Sequence, residues 1–204
     1  MRTPRILVVD DDVATCQNLQ DILTDLGYVV AVAHDGEKAL ELVRTSVFDV
    51  ALLDLKMPGM DGLTLHREIK KISAGTVAII VTAYSGPITA LEAEEAGVWQ
   101  VLPKPVDPPR LLNLVDEALD QPLILIVDDD ESLCANLWDL FRERGYRVCV
   151  AHGLQAAAQQ LPQRDFQVAL IDLRLPDGSG AEVHDLVRKA CPKARTVLIT
   201  AFVS

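Results

Sequence analysis

The chain has 204 residues and a formal net charge of −11, from 30 acidic against 19 basic side chains. Half of it is hydrophobic and 24% charged, an ordinary globular balance that excludes disordered, collagen-like and low-complexity readings. Its longest apolar stretches last only a few residues against the roughly 20 that span a bilayer, so neither a membrane segment nor a secretory leader is expected. The acidic excess also argues against direct binding to nucleic acid. The best basic sets are Arg142, Arg144 and Arg147, then Arg188, Lys189, Lys193 and Arg195. Both read as solvated helix faces. The cysteines Cys16, Cys134, Cys149 and Cys191 show no CxxC spacing and read as small apolar fillers of a reduced, cytoplasmic chain.

In chain order, Arg5 to Asp10 reads as a buried strand, four apolar residues between polar ends. Asp12 or Thr15 then caps a helix with Val13, Cys16, Leu19, Ile22, Leu23 and Leu26 on one face, closed by Gly27. Tyr28 to Val32 is a second strand, Asp35-Gly36-Glu37 opens a helix running through Arg44, and Asp49 to Asp54 is a third strand. The loop from Lys56 to Gly62 holds Pro and Gly turns, and a helix follows to about Ile72. Strand Thr76 to Thr82, a helix around Ile88 to Ala96, strand Val98 to Leu102 and a helix from Pro109 to Leu119 complete the first half. Strands alternating with helices predict a parallel sheet covered on both faces.

The second half repeats the first. Asp10-Asp11-Asp12 returns as Asp128-Asp129-Asp130, an offset of 118 residues that also carries Gly27-Tyr28 to Gly145-Tyr146, Asp54-Leu55 to Asp172-Leu173 and Thr82-Ala83 to Thr200-Ala201. Phe48 maps onto Phe166, although the next pair, Asp49 and Gln167, differs. The predicted domains are 1–120 and 123–204, joined by a short linker. The second has no counterpart of residues 87–119, so it lacks the fifth strand and last helix, and a longer native chain is the expectation.

In an open parallel sheet, ligands bind at the carboxyl ends of the strands. Asp10, Asp11 and Asp54 fall at such ends, as do Thr82 and, after strand five, Lys104. Three carboxylates at one point need a cation, and hard oxygen donors suit Mg²⁺. A lysine and a hydroxyl beside them suit a phosphoryl group, and one carboxylate could serve as its nucleophilic acceptor.

The motifs VVDDD, DLKMPGMDG, VTA and KP, in that order, resemble the receiver domain of two-component response regulators. The resemblance implies a flavodoxin-like (βα)5 fold with parallel sheet order 2-1-3-4-5, the order for which a relative serves as a general example. It implies phosphoryl acceptance at Asp54 from a histidine kinase or histidine phosphotransfer protein. Mg²⁺ would be held by Asp10, Asp11, Asp54 and the backbone carbonyl of Lys56, with Thr82 as switch hydroxyl and Lys104 pairing with the phosphoryl group. Asp128, Asp129, Asp172, Arg174 and Thr200 match in the second copy, which makes Asp172 the second candidate acceptor. A receiver catalyses only its own phosphoryl transfer and loss, and a homodimer is compatible with it. Receivers often carry an aromatic three positions before the lysine; here it is Val101, with Trp99 and Tyr84 as nearby substitutes. The rival is a haloacid-dehalogenase-like phosphohydrolase with Asp10 as nucleophile and Asp12, Thr82 and Lys104 in support, which leaves Asp54 without a role. His184 reads as a surface histidine.

Overall fold

Alternation along the strands decides which side of the sheet each residue of the first half serves. The computed structural model describes residues 3–83, 91–93 and 95–199. It divides into two compact units, Met1–Asp120 and Gln121–Ser204. In the first, β1 (Arg5–Val9), β2 (Val29–Ala33), β3 (Val50–Asp54), β4 (Val77–Thr82) and β5 (Gln100–Pro103) form one parallel sheet of order β2-β1-β3-β4-β5. Leu7, Val9, Ala51, Leu53, Ala78 and Ile80 point to one face, where they pack with α2 (Gly36–Thr45) and α3 (Gly62–Ile72). Their neighbours Ile6, Val8, Val50, Leu52, Val77 and Ile79 point to the other, under α1 (Val13–Asp25) and α4 (Pro108–Asp120). Every residue of β3 and β4 is buried, as inner strands of a two-sided sheet must be.

The second unit repeats the arrangement with four parallel strands in the order β11-β8-β6-β7: β6 (Leu123–Val127), β7 (Arg147–Ala151), β8 (Val168–Asp172) and β11 (Arg195–Ile199). Helices α5 (Glu131–Glu143), α6 (Leu154–Gln160) and α7 (Gly180–Ala190) pack on it. Its best-filled face joins Leu125, Val127, Ala169 and Ile171 to Val183 and Val187 of α7. Coverage thins toward β11, where Val197 and Leu198 are 48% and 50% exposed.

One mismatch in the repeat conserves a bond. The Asp49 carboxylate accepts from the Arg5 amide at 2.9 Å, and the Gln167 amide oxygen accepts from Leu123 at 2.6 Å. Either residue supplies the oxygen that anchors the start of its domain's first strand.

Several expectations need correction. Val13 and Leu26 are 64% and 53% exposed, because Val13 lies in the turn after the Asp12 cap and Leu26 lies past the last turn of α1. The buried stripe is narrower: Cys16, Leu19 and Leu23. The fifth strand begins at Gln100 rather than Val98, whose amide is spent closing the preceding turn on the Ala93 carbonyl. Of the helix expected over 88–96, residues 91–93, 95 and 96 are described; the first four are helical and Ala96 is already in the turn that follows. In the second unit α6 is short and gives way to a 3-10 turn, Leu161–Gln163, because Pro162 has no amide to continue the helix. Arg147 is not on a solvated helix face but is a buried residue of β7, and the Arg142 guanidinium stacks 5.6 Å from the Trp138 ring centre. Burial, then the charge of Arg147, pulls the Arg142 guanidinium down to about 10. No described helix is long and apolar enough to cross a membrane.

Candidate functional site: twin acidic clefts

The carboxyl ends of β1, β3 and β5 bring Asp10, Asp54 and Lys104 into direct contact. Lys104 Nζ lies 2.6 Å from Asp10 Oδ2 and 3.0 Å from Asp54 Oδ1. Asp10 and Asp54 are buried and Asp11 is exposed, and all three offer oxygens within 4.8 Å of one another. The remaining oxygens are held by the backbone: Asp10 Oδ1 accepts from the Asp12 amide at 3.0 Å, and Asp54 Oδ2 from the Lys56 amide at 3.0 Å. Burial alone would push the Lys104 ammonium down. The carboxylates of Asp10 and Asp54 outweigh it and hold the group above its ordinary value.

Thr82 ends β4 fully buried, one register step beyond Val81, the partner of Asp54. The Lys104 amide donates to the Thr82 carbonyl at 2.9 Å, so the lysine and the hydroxyl-bearing residue are fixed to each other. Val101 packs partly buried on the α2–α3 face and Trp99 on the other. Tyr84 and Thr200 lie outside the described residues.

Sequence reasoning missed a support that both copies share. The Asp10 carbonyl meets Cys16 Sγ at 3.3 Å and His34 Nδ1 at 3.3 Å, and the Asp128 carbonyl meets Cys134 Sγ at 3.4 Å and His152 Nδ1 at 3.1 Å. Burial, then the nearby aspartate, pushes the Cys16 thiol up to about 11 and the Cys134 thiol up to about 12, so each keeps its S–H to donate. These cysteines are more than fillers, and their recurrence with the histidines at one offset was the available signal. A second missed pair is Gly62 and Gly180. A Cβ on Gly62 would collide with the Asp54 carbonyl, and one on Gly180 with the Asp172 carbonyl. Only glycine lets the following helix start against the backbone of that aspartate.

The second cleft gathers Asp128, Asp129 and Asp172, again within 4.8 Å. Asp128 Oδ1 accepts from the Asp130 amide at 2.9 Å and Asp172 Oδ2 from the Arg174 amide at 3.3 Å. Burial raises the Asp128 carboxyl, and the charges of Asp172, Asp129 and Asp130 raise it further. After Asp172 the chain forms a small antiparallel ribbon that the sequence did not suggest, β9 (Arg174–Leu175) with β10 (Gly178–Ser179).

Two observations bear on the phosphohydrolase reading. Asp12, its required helper, spends its carboxylate capping α1 through the Thr15 amide at 2.6 Å. Asp54 meanwhile sits in the contact with Lys104. His184 is half-buried rather than at the surface, and its Nδ1 shares a hydrogen bond with Thr196 Oγ1 at 2.8 Å.

Both clefts fit a hard divalent cation: carboxylate oxygens converge from two strand ends, and in the first the converged charge is met by a lysine ammonium. The response regulator receiver domain matches residues 6–116 and 124–204. A response regulator receiver protein of Anaeromyxobacter sp. (strain Fw109-5) is 35% identical over 196 residues, covering 96% of this chain and 82% of its own length. The transcriptional regulatory protein ZraR of Escherichia coli (strain K12) is 45% identical over 114 residues, which are 56% of this chain but only 26% of ZraR. Among solved structures, a CheY-like receiver domain from Methanospirillum hungatei JF-1 aligns with TM-score 0.56 at 34% identity, over 58% of this chain and 95% of that one. TrrA of Thermotoga maritima, solved in complex with Mg²⁺ and BeF, aligns with TM-score 0.52 at 32% identity, over 57% of this chain and 99% of its own. The repeated fold, the twin clefts and these likenesses agree: the chain belongs to the response regulator receiver family, carries two copies of the domain, and is a receiver protein of two-component signalling.

Proposed function

We propose that Asp54 is the phosphoryl acceptor of the first domain. The observation that carries this reading is the Lys104 ammonium lodged between Asp10 and Asp54, at 2.6 and 3.0 Å, beside the end of β4. A carboxylate oxygen of Asp54 attacks the phosphorus of a phosphohistidine on a histidine kinase or phosphotransfer protein. The P–N bond breaks as the P–O bond forms, and the departing imidazole takes up a proton. The Lys56 amide holds one oxygen of Asp54 and leaves the other to react. Lys104 can turn from the two carboxylates to an incoming phosphoryl oxygen, and Thr82, at the adjacent strand end, supplies a hydroxyl to another. Asp10, Asp11, Asp54 and the Lys56 carbonyl would hold Mg²⁺, whose charge offsets that of the phosphoryl oxygens. Water later cleaves the acyl phosphate within the same cleft, so the domain turns over only its own modification. Asp172 is the second acceptor candidate. ZraR is named as a transcriptional regulator, but the net charge of −11 favours output through protein contacts rather than through these domains touching nucleic acid.

Incubation with acetyl phosphate and Mg²⁺, followed by mass spectrometry, is expected to show a chelator-sensitive phosphoryl adduct on Asp54. Asp54→Asn removes it. An adduct that persists in D54N and moves to Asp10 would replace this reading with the phosphohydrolase one.

A further inference from the structure

Where the loop after the acceptor meets the next helix, two neighbouring pairs of positions exchange side chains between the domains. In the first domain Asp35 caps α2 itself, its Oδ1 accepting from the Lys38 amide at 2.8 Å, and the loop opposite has Gly59. Next to them Gly36 leaves room for Met60, whose Sδ would lie 2.8 Å from a Cβ on that glycine. The matching positions of the second domain are Gly153 with Asp177 and Leu154 with Gly178. There the carboxylate comes from the loop: Asp177 Oδ1 accepts from the Leu154 amide at 2.7 Å and Oδ2 from Gln155 at 2.9 Å. The apolar group comes from the helix, with Leu154 Cδ2 lying 2.6 Å from where a Cβ on Gly178 would be. A Cβ on Gly153 would lie 2.5 Å from Asp177 Oδ1, so the two ways of capping exclude each other.

The two solutions give a helix its cap equally well but couple different things. Asp35 belongs to its own helix, and the first domain's loop can shift without uncapping α2. Asp177 sits at the turn of the β9–β10 ribbon, which begins at Arg174, whose amide holds Asp172 Oδ2. The helix it caps follows directly on His152, whose ring meets the Asp128 carbonyl. One carboxylate therefore ties the Asp172 rim of the cleft to the Asp128 rim.

We propose that Asp177 is a positioning residue of the second cleft, holding the ribbon and the start of α6 together so that Asp172 faces Asp128 and Asp129 for a divalent cation. This rests on the reading of the clefts as Mg²⁺ sites. The full chain is titrated with Mg²⁺ by NMR, with amide hydrogen exchange at Leu154 and Gln155 read in parallel. D177G is expected to speed that exchange at least tenfold and to weaken Mg²⁺ binding at the second cleft about tenfold, the lower end for an outer-shell partner. The double variant G153D/D177G restores the first domain's arrangement, and Gly153 is already extended, at φ 169 and ψ 178, as Asp35 is. The introduced carboxylate should protect the Ala156 amide, the counterpart of Lys38, and cap the helix again while Mg²⁺ binding stays weak. If affinity returns together with protection, Asp177 is a helix cap alone and the proposal is overturned, as it is if D177G binds Mg²⁺ like the unmodified chain. Should D177G unfold the domain, D177N keeps one accepting oxygen and is read the same way, with a smaller loss expected. D172N is the control for the cleft itself: Mg²⁺ shifts at the second cleft that survive it would refute the metal reading there, and the tether with it, even where hydrogen exchange behaves as described.

Discussion

Lys104 stands between Asp10 and Asp54, whose side chains are 3% and 7% exposed, while its own is 23% exposed. Lys104→Met would leave two shielded carboxylates facing each other with no cation. Hydrogen bonds to charged groups are worth about 1.5–3 kcal/mol, and the lysine's access to water trims that, so a loss of about 1–2 kcal/mol is expected in urea unfolding with chelator present. Added Mg²⁺ should recover most of it in K104M, since it answers the same charges. Equal losses with and without the ion would contradict this. Tyr28 offers a pH test far from the cleft. Its hydroxyl donates to Asp116 at 2.6 Å, and burial, then that carboxylate, pushes it from 10.0 up to about 12. The folded state thus holds the phenolic proton more tightly than the unfolded chain does. The resulting stability is fully present below pH 10 and drains away as the pH rises toward 12. Tyr28→Phe should flatten the fall of the urea midpoint across that window.

At the level of elements, what the sequence shows and what it hides follow from the range of the interactions involved. Strands β1, β3 and β4 were legible because runs such as Val77 to Val81 are buried on both faces and need no partner to be recognised. Asp10, Asp54, Thr82 and Lys104 were legible because they sit at strand ends with family spacing, and the fold brings them together. The edges were not. Val13 and Leu26 have the right period on α1, but they lie at its two ends, beyond the buried stripe of Cys16, Leu19 and Leu23. Arg147 looks like a surface charge until its strand pairs with β6 and Pro122 accepts its amide. The hydrogen bonds of the Asp177 cap join residues 22 and 23 positions apart, which no local pattern encodes. Comparing the two copies position by position was the one route to them.

For the molecule as a whole, the two units differ in how much of their sheet is shielded. Ile80 is completely buried between β3 and β5, whereas Val197 on β11 is 48% exposed. Ile80→Ala should cost about 2–5 kcal/mol. Val197→Ala should stay within about 0.5 kcal/mol, as surface changes do. Calorimetry is expected to show two transitions, with I80A lowering one and leaving the other in place. A single transition moved by both variants would mean that the units melt as one. A switch also needs an anvil, and each domain has one on the side of the helix that begins at Gly62 or Gly180. With the aspartate carbonyl packed against that glycine, the backbone of Asp54 or Asp172 has no room to move toward the helix. If Asp54 takes the phosphoryl group as proposed, the resulting displacement is expected on the opposite flank, through Thr82 and Lys104. On that proposal a glycine carrying no chemistry of its own would set the direction in which the message travels.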